Sequence, residues 1–125
     1  MNYSIGQFSK VCGLSIDTLR YYEKEKIIFS KRTSNNRRYY TDQDVAWVQF
    51  VLRLKQTGMS IKKMKLYAQL RYVGDETIPA RTKILFDQLA ILHANLKETE
   101  QHIEFVEDKI QTYLATLTNL SLIHI

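Results

Sequence analysis

Apolar residues recur at helical spacing along most of this chain, and each recurrence is opened by a side chain able to cap a helix. Ser4 precedes Ile5, Phe8 and Val11, with Gln7 three residues after it, the arrangement of a capping box. Gly13 supplies the left-handed residue that closes this helix, and Leu14 packs under the turn. Ser15 then caps a second helix, in which Ile16 and Leu19 share one face. Asp17, Thr18, Arg20 and Tyr21 are left for the other face. Two short helices joined through a glycine turn describe a helix-turn-helix, whose second helix enters the major groove. A plain helical hairpin with no ligand has the same local pattern.

Ile27-Ile28-Phe29 reads as a β-prone run. A polar stretch to Arg38 and the pair Tyr39-Tyr40 follow, which predicts a hairpin with Asn35-Asn36 at its tip. Thr41-Asp42-Gln43-Asp44 is an acidic helix start. The helix after it buries Val45, Trp47, Val48, Val51, Leu52 and Leu54 and stops at Gly58. Trp47 reads as a core anchor. Ser60 caps another helix with Ile61, Met64, Tyr67, Ala68 and Leu70. Val73-Gly74-Asp75-Glu76 breaks the pattern and sets a domain boundary, 1–74 before it and 75–120 after it.

Thr77 and Pro79 then open a final helix. Neither Pro nor Gly recurs after Pro79, so the helix is expected to run about 40 residues, roughly 60 Å at 1.5 Å rise per residue. Its stripe is Leu85, Leu89, Leu92, Leu96, Thr99, Ile103, Val106, Ile110, Tyr113, Leu117 and Leu120, stepping alternately by four and three. That is a coiled-coil seam. A domain of about 70 residues cannot bury it, so the seam calls for a second helix, most simply from a second copy. Residues 121–125 form an apolar tail that fits no pattern.

Charge sharpens this picture. The net charge is +5 and the pI about 9.3, which favours a polyanionic partner. The excess is local: Met1 to Asp75 carries 14 Lys+Arg against 6 Asp+Glu, and the remainder 4 against 7. The hairpin alone holds Lys31, Arg32, Arg37 and Arg38, cations suited to backbone phosphates, although a solvated charged turn has the same composition. Lys62, Lys63 and Lys65 lie beside a helix N-terminus and read either as a further phosphate clamp or as an ordinary solvated face.

Other chemistries find no support. Cys12 is the only cysteine, so no internal disulfide forms and no Cys pair holds a metal. It reads as a small core filler, with a thiol sensor as the alternative. His93 and His102 are not spaced as metal ligands. No phosphate loop, metal cluster or nucleophile-base pair points to an enzyme, and no cofactor is implied. No apolar run of about 18 residues is present to span a membrane, and no signal peptide precedes Ser4, so the expected location is cytoplasmic.

The N-terminal half resembles the MerR family of bacterial transcription regulators. The resemblance is carried by Tyr3 to Lys10, by Gly13-Leu14-Ser15, by Thr18-Leu19-Arg20-Tyr21-Tyr22-Glu23, by Arg38-Tyr39-Tyr40 with Asp44, and by Lys55 to Ile61. It implies a mainly α fold, a winged helix-turn-helix with a short β-hairpin wing, followed by a long helix that forms an antiparallel coiled coil in a homodimer. Carried over by position, the DNA contacts are Ser15, Thr18, Arg20, Tyr21 and Tyr22 on the helix, Arg37, Arg38 and Tyr40 on the first wing, and Lys62 at the second. Asn36 departs from the Gly common at this hairpin tip, but Asn also reaches positive φ. The resemblance implies regulation at a pseudo-palindromic promoter site, through distortion of DNA that RNA polymerase then uses.

Leu70-Arg71-Tyr72, Gly74-Asp75 and Lys109 to Tyr113 look like the small aldehyde-responsive branch, which would make the signal a stress or electrophile. That branch commonly senses through a cysteine whose position here is Arg53. The dimer helix also lacks the cysteines of thiolate metal sensing, and no drug-binding domain like that of some relatives is expected after the coiled coil. Two rival readings fit less well. An excisionase-like architectural module usually lacks the long seam, and a coiled-coil adaptor has no use for the basic first half.

Overall fold

The computed structural model describes residues 1–123, with side chains described through residue 120. The elements in order are β1 (Asn2–Tyr3), α1 (Ile5–Cys12), α2 (Ile16–Lys24), β2 (Lys31–Arg32), β3 (Arg38–Thr41), α3 (Asp42–Gln56), α4 (Ile61–Val73), a 3-10 turn (Asp75–Thr77) and α5 (Ile78–Ile123). The tail reading therefore meets helix as far as Ile123, and its last two residues lie outside the described residues.

The caps form where short-range chemistry places them. Ser4 accepts from the Gln7 amide at 3.2 Å while the Gln7 side chain accepts from the Ser4 amide at 2.9 Å. Ser15 and Ser60 cap α2 and α4, and Thr41 forms a second capping box with Asp44. Gly13 ends α1 at φ 70, a conformation that costs a side-chain-bearing residue about 1–2 kcal/mol.

The strands form an antiparallel sheet in the order β1-β3-β2, with Tyr3 opposite Tyr40 and Lys31 opposite Tyr39. Asn36 sits at the β2–β3 tip with φ 62, the conformation expected of it. β1 was not foreseen. A two-residue strand has no periodicity of its own and forms only because β3 offers a free edge.

The core joins α1, α2, α3 and α4 through Phe8, Leu19, Val48, Val51, Met64 and Ala68. Phe8 stacks on Tyr40, ring centroids 4.3 Å apart and planes within 1°. Trp47 is the anchor that the sequence suggested: it is buried, and its indole N–H donates to the Ile27 carbonyl at 2.8 Å.

Two expectations are corrected. Ile27-Ile28-Phe29 is not a strand, and pairing begins only at Lys31. Lys26 at φ 59 turns the chain so that Ile27 and Ile28 enter the core from an irregular connection. Val11 does not share the face of Phe8 and is 47% exposed. Cys12, four residues after Phe8, takes that place.

The chain divides into two compact units, Met1–Gln88 and Leu89–Ile125. The composition break at Gly74 coincides with the end of α4, but the first unit continues into α5. Ile84 and Gln88 are buried there, and the Gln88 side-chain amide donates to the Thr57 carbonyl at 2.9 Å. Thr77 and Arg81 close the α4–α5 connection: Thr77 donates to the Leu70 carbonyl at 2.6 Å, and Arg81 donates to Thr77 at 3.0 Å. In the second unit the described residues are exposed throughout. The apolar seam positions from Leu85 to Leu120 are 37% to 62% exposed, including Leu89, Leu92, Leu96, Ile103, Val106, Ile110, Tyr113 and Leu117. Among the described residues no helix is long and apolar enough to cross a membrane.

Candidate nucleic-acid interface

Helix α2 buries Leu19 and turns Arg20 to solvent. Arg20 has no hydrogen-bond or ion-pair partner among the described residues. It lines an open groove with Glu23, Lys24 and Arg38, so helix and hairpin cations share one concavity. Tyr21 is 43% exposed on the same helix. Ser15 and Thr18 stand at its start, their hydroxyls 2.9 Å apart. Ser15 also accepts from the Thr18 amide at 3.1 Å, so its first duty is capping.

The four hairpin cations divide by their partners. Lys31 pairs with Asp44 at 3.2 Å, Arg38 pairs with Glu23 at 3.0 Å, and Arg32 donates to the Asn36 carbonyl at 3.1 Å. The Arg37 side chain is left without a partner among the described residues, next to the tip. Lys62 is likewise exposed and unpaired in the first turn of α4, whereas Lys65 pairs with Glu25 at 3.3 Å.

Two of the contact residues expected from the sequence lie in the core instead. Tyr40 is fully buried against Phe8, and its hydroxyl donates to Glu23. Tyr22 is 2% exposed, and its hydroxyl is buried with no partner. A tyrosine carries an apolar ring and a polar tip, so its sequence position alone does not decide which of the two prevails. Replacing Tyr22 by Phe removes an unsatisfied buried group and should stabilise the fold by about 1 kcal/mol. Thermal unfolding would read the gain, and DNA affinity should stay unchanged. A loss of affinity would restore Tyr22 as a contact.

Sequence reasoning missed Glu23 and Lys55. Glu23 sits on α2 and takes both Arg38 and Tyr40 of β3, so one mostly buried carboxylate ties the hairpin to the recognition helix. The available signal was an acid inside an otherwise basic motif. Glu23→Gln keeps an acceptor but loses the charge, and should lower stability by about 1 kcal/mol in denaturant unfolding. An unchanged midpoint would show the tie to be idle. Lys55 lines a second groove with Asp17, Thr18, Tyr21, Tyr22 and Ile61, which adds a cation beside the start of α2.

Cys12 is partly buried, and that burial pushes its thiol above the ordinary value. A reactive thiolate needs the opposite shift. Among the described residues no group of His, Cys, Asp and Glu could hold a metal ion.

Comparison with known proteins agrees with this geometry. The model of the MerR HTH family of regulatory proteins matches residues 3–70. An uncharacterised HTH-type transcriptional regulator of Haemophilus influenzae is 31% identical over 114 residues, covering 90% of this chain and 84% of the relative. The regulator AdhR of Bacillus subtilis is 37% identical over 86 residues, 68% of this chain and 61% of its own length. Among solved structures, HiNmlR, a MerR family regulator lacking the sensor domain and bound to promoter DNA, matches with TM-score 0.73 at 31% identity over 90% of both chains. A MerR family regulator of Bacillus thuringiensis matches with TM-score 0.69 at 32% identity, over 90% of this chain and 99% of its own.

Proposed function

The chain belongs to the MerR family of helix-turn-helix regulatory proteins, and from that premise we propose which of its residues meet DNA and how the site is used. The protein is a DNA-binding transcriptional regulator that acts as a dimer, and it is not an enzyme. Ser15, Thr18, Arg20 and Tyr21 on α2 face the major groove. Arg37 and Arg38 on the hairpin and Lys62 at the start of α4 hold the flanking phosphates. Tyr22 and Tyr40 are left out, because they build the core that fixes those groups.

The observation that carries this assignment is that exposed cations of helix and hairpin, Arg20 and Arg38, line one open groove. Arg20, Arg37 and Lys62 are exposed and unpaired among the described residues, as are Lys10, Lys24, Lys26 and Lys55, so position on the recognition helix, the hairpin tip and the start of α4 singles the three out. An unmatched cation in a basic domain is available to phosphate or to a base edge. Dimer symmetry then gives a pseudo-palindromic promoter site. DNA contacts made by two linked domains allow the duplex to be bent and untwisted for RNA polymerase. The compartment that holds such a target is the bacterial cytoplasm.

Salt tests the reading. Three phosphate contacts in each of two protomers predict that log Kobs falls against log salt with a slope of about −5. Fluorescence anisotropy with a labelled duplex measures it. A flat dependence would remove the electrostatic interface and leave the adaptor reading.

A further inference from the structure

The seam of α5 carries information about which residues of two copies meet. Leu89, Leu96, Ile103, Ile110 and Leu117 form one set of alternating positions; Leu85, Leu92, Thr99, Val106, Tyr113 and Leu120 form the other. In an antiparallel pair, each member of one set faces a member of the other. Two arrangements fill the same number of seam layers. One is symmetric about Gln101 and sets Leu85 against Leu117, Leu89 against Tyr113, Leu92 against Ile110, Leu96 against Val106 and Thr99 against Ile103. The other is slipped by one heptad and sets Leu89 against Leu120 and Ile103 against Val106. The seam alone does not separate them.

The flanks do. Phe86 is 65% exposed and Leu114 is 51% exposed, both one step outside the seam on the same side, together with His93, Glu100 and Glu107. In the arrangement centred on Gln101, Phe86 lies beside Leu114 of the second copy and His93 beside its Glu107, each twice by symmetry. The cost is two like pairs across the axis, Glu100 against Glu100 on this flank and His102 against His102 on the other. In the slipped arrangement Glu100 meets Glu107 twice, His93 faces Leu114, and Phe86 has no apolar neighbour. On the other flank the slip sets His102 beside Lys109 twice, where the centred form sets Asn95 beside Lys109. Like charges on facing positions destabilise, and apolar pairs are buried at no charge cost.

We infer that two copies pair antiparallel about Gln101, with Phe86–Leu114 and His93–Glu107 contacts flanking the seam and fixing its register. The inference rests on the dimer reading and adds the pairing. It accounts for two large apolar residues that neither the seam nor the DNA-binding unit buries.

A spin label at Gln111→Cys in a Cys12→Ser background measures the pairing directly. Ten residues from the centre in each copy place the two labels about 30 Å apart along the axis, which gives a distance of roughly 30–35 Å with the lateral offset. A distance below about 25 Å or above about 40 Å in a protein that sediments as a dimer overturns the register. A protein that sediments as a monomer overturns the dimer reading itself. The second variant needs no label: His93→Glu should weaken dimerisation about 5–10-fold by facing Glu107, and adding Glu107→His should restore it. Unchanged dimerisation in His93→Glu also overturns the register.

Discussion

Ile103→Lys should turn the dimer into a monomer at micromolar concentration. Ile103 lies near the middle of the seam and is half exposed in the single chain, so its burial must come from a second helix. Symmetry uses the position twice. Removing two buried isoleucines takes away about 3–6 kcal/mol at about 1.5–3 kcal/mol each, before any cost of bringing two ammonium groups together. At 1.4 kcal/mol per factor of ten, the dimer weakens at least about 100-fold. Lysine can reach water along its stem, which softens the charge penalty but does not restore the packing. Sedimentation equilibrium reads the result, with Ile103→Leu as a dimeric control. The Met1–Gln88 unit should keep its fold, because Ile103 lies outside it. A dimer that survives the substitution would place the interface elsewhere.

Arg20→Ala should cost about 1–3 kcal/mol of specific DNA binding, roughly 5–150-fold. Its effect on stability should stay within about 0.5 kcal/mol, because the side chain is exposed and holds no partner among the described residues. Arg38 is different: it is tied to Glu23, so its replacement changes the fold and the surface together. The two modes open to Arg20 have different readouts. If Arg20 reads a base edge, the alanine variant relaxes sequence preference at one position of each half-site. If it holds a phosphate, the variant binds all sequences more weakly alike, and the salt slope falls by about one per half-site. Unchanged affinity with intact folding would remove Arg20 from the interface.

The parts of the fold that were legible in the sequence are those set by neighbours along the chain. Ser4, Ser15, Thr41 and Ser60 each cap through a bond to a residue three positions on, and Gly13, Asn36 and Gly58 adopt positive φ where turns need it. The α5 seam is also local, being a repeat on one helix. The illegible parts are tertiary. Ile27 and Ile28 suit a strand by composition, but the Lys26 turn and the Trp47 hydrogen bond fix them as a buried connection. β1 depends wholly on an edge contributed some 40 residues later.

The candidate site divides the same way. Helix periodicity placed Arg20 and Tyr21 outward, and the hairpin tip placed Arg37. It could not reveal that Tyr40 reaches under the sheet to Phe8, or that Glu23 joins α2 to β3 across 15 to 17 residues of sequence. Those contacts put Tyr40 in the core and tie Arg38 to Glu23.

The central claim is that a dimer of this chain reads a symmetric DNA sequence. The most direct measurement is selection of duplexes from a random pool by the purified protein at physiological salt, followed by sequencing. An inverted repeat with two equivalent half-sites is the predicted result, and its disappearance with Ile103→Lys would tie the symmetry to the α5 seam. Recovery of a single asymmetric half-site, or of DNA with no common sequence, would contradict the claim.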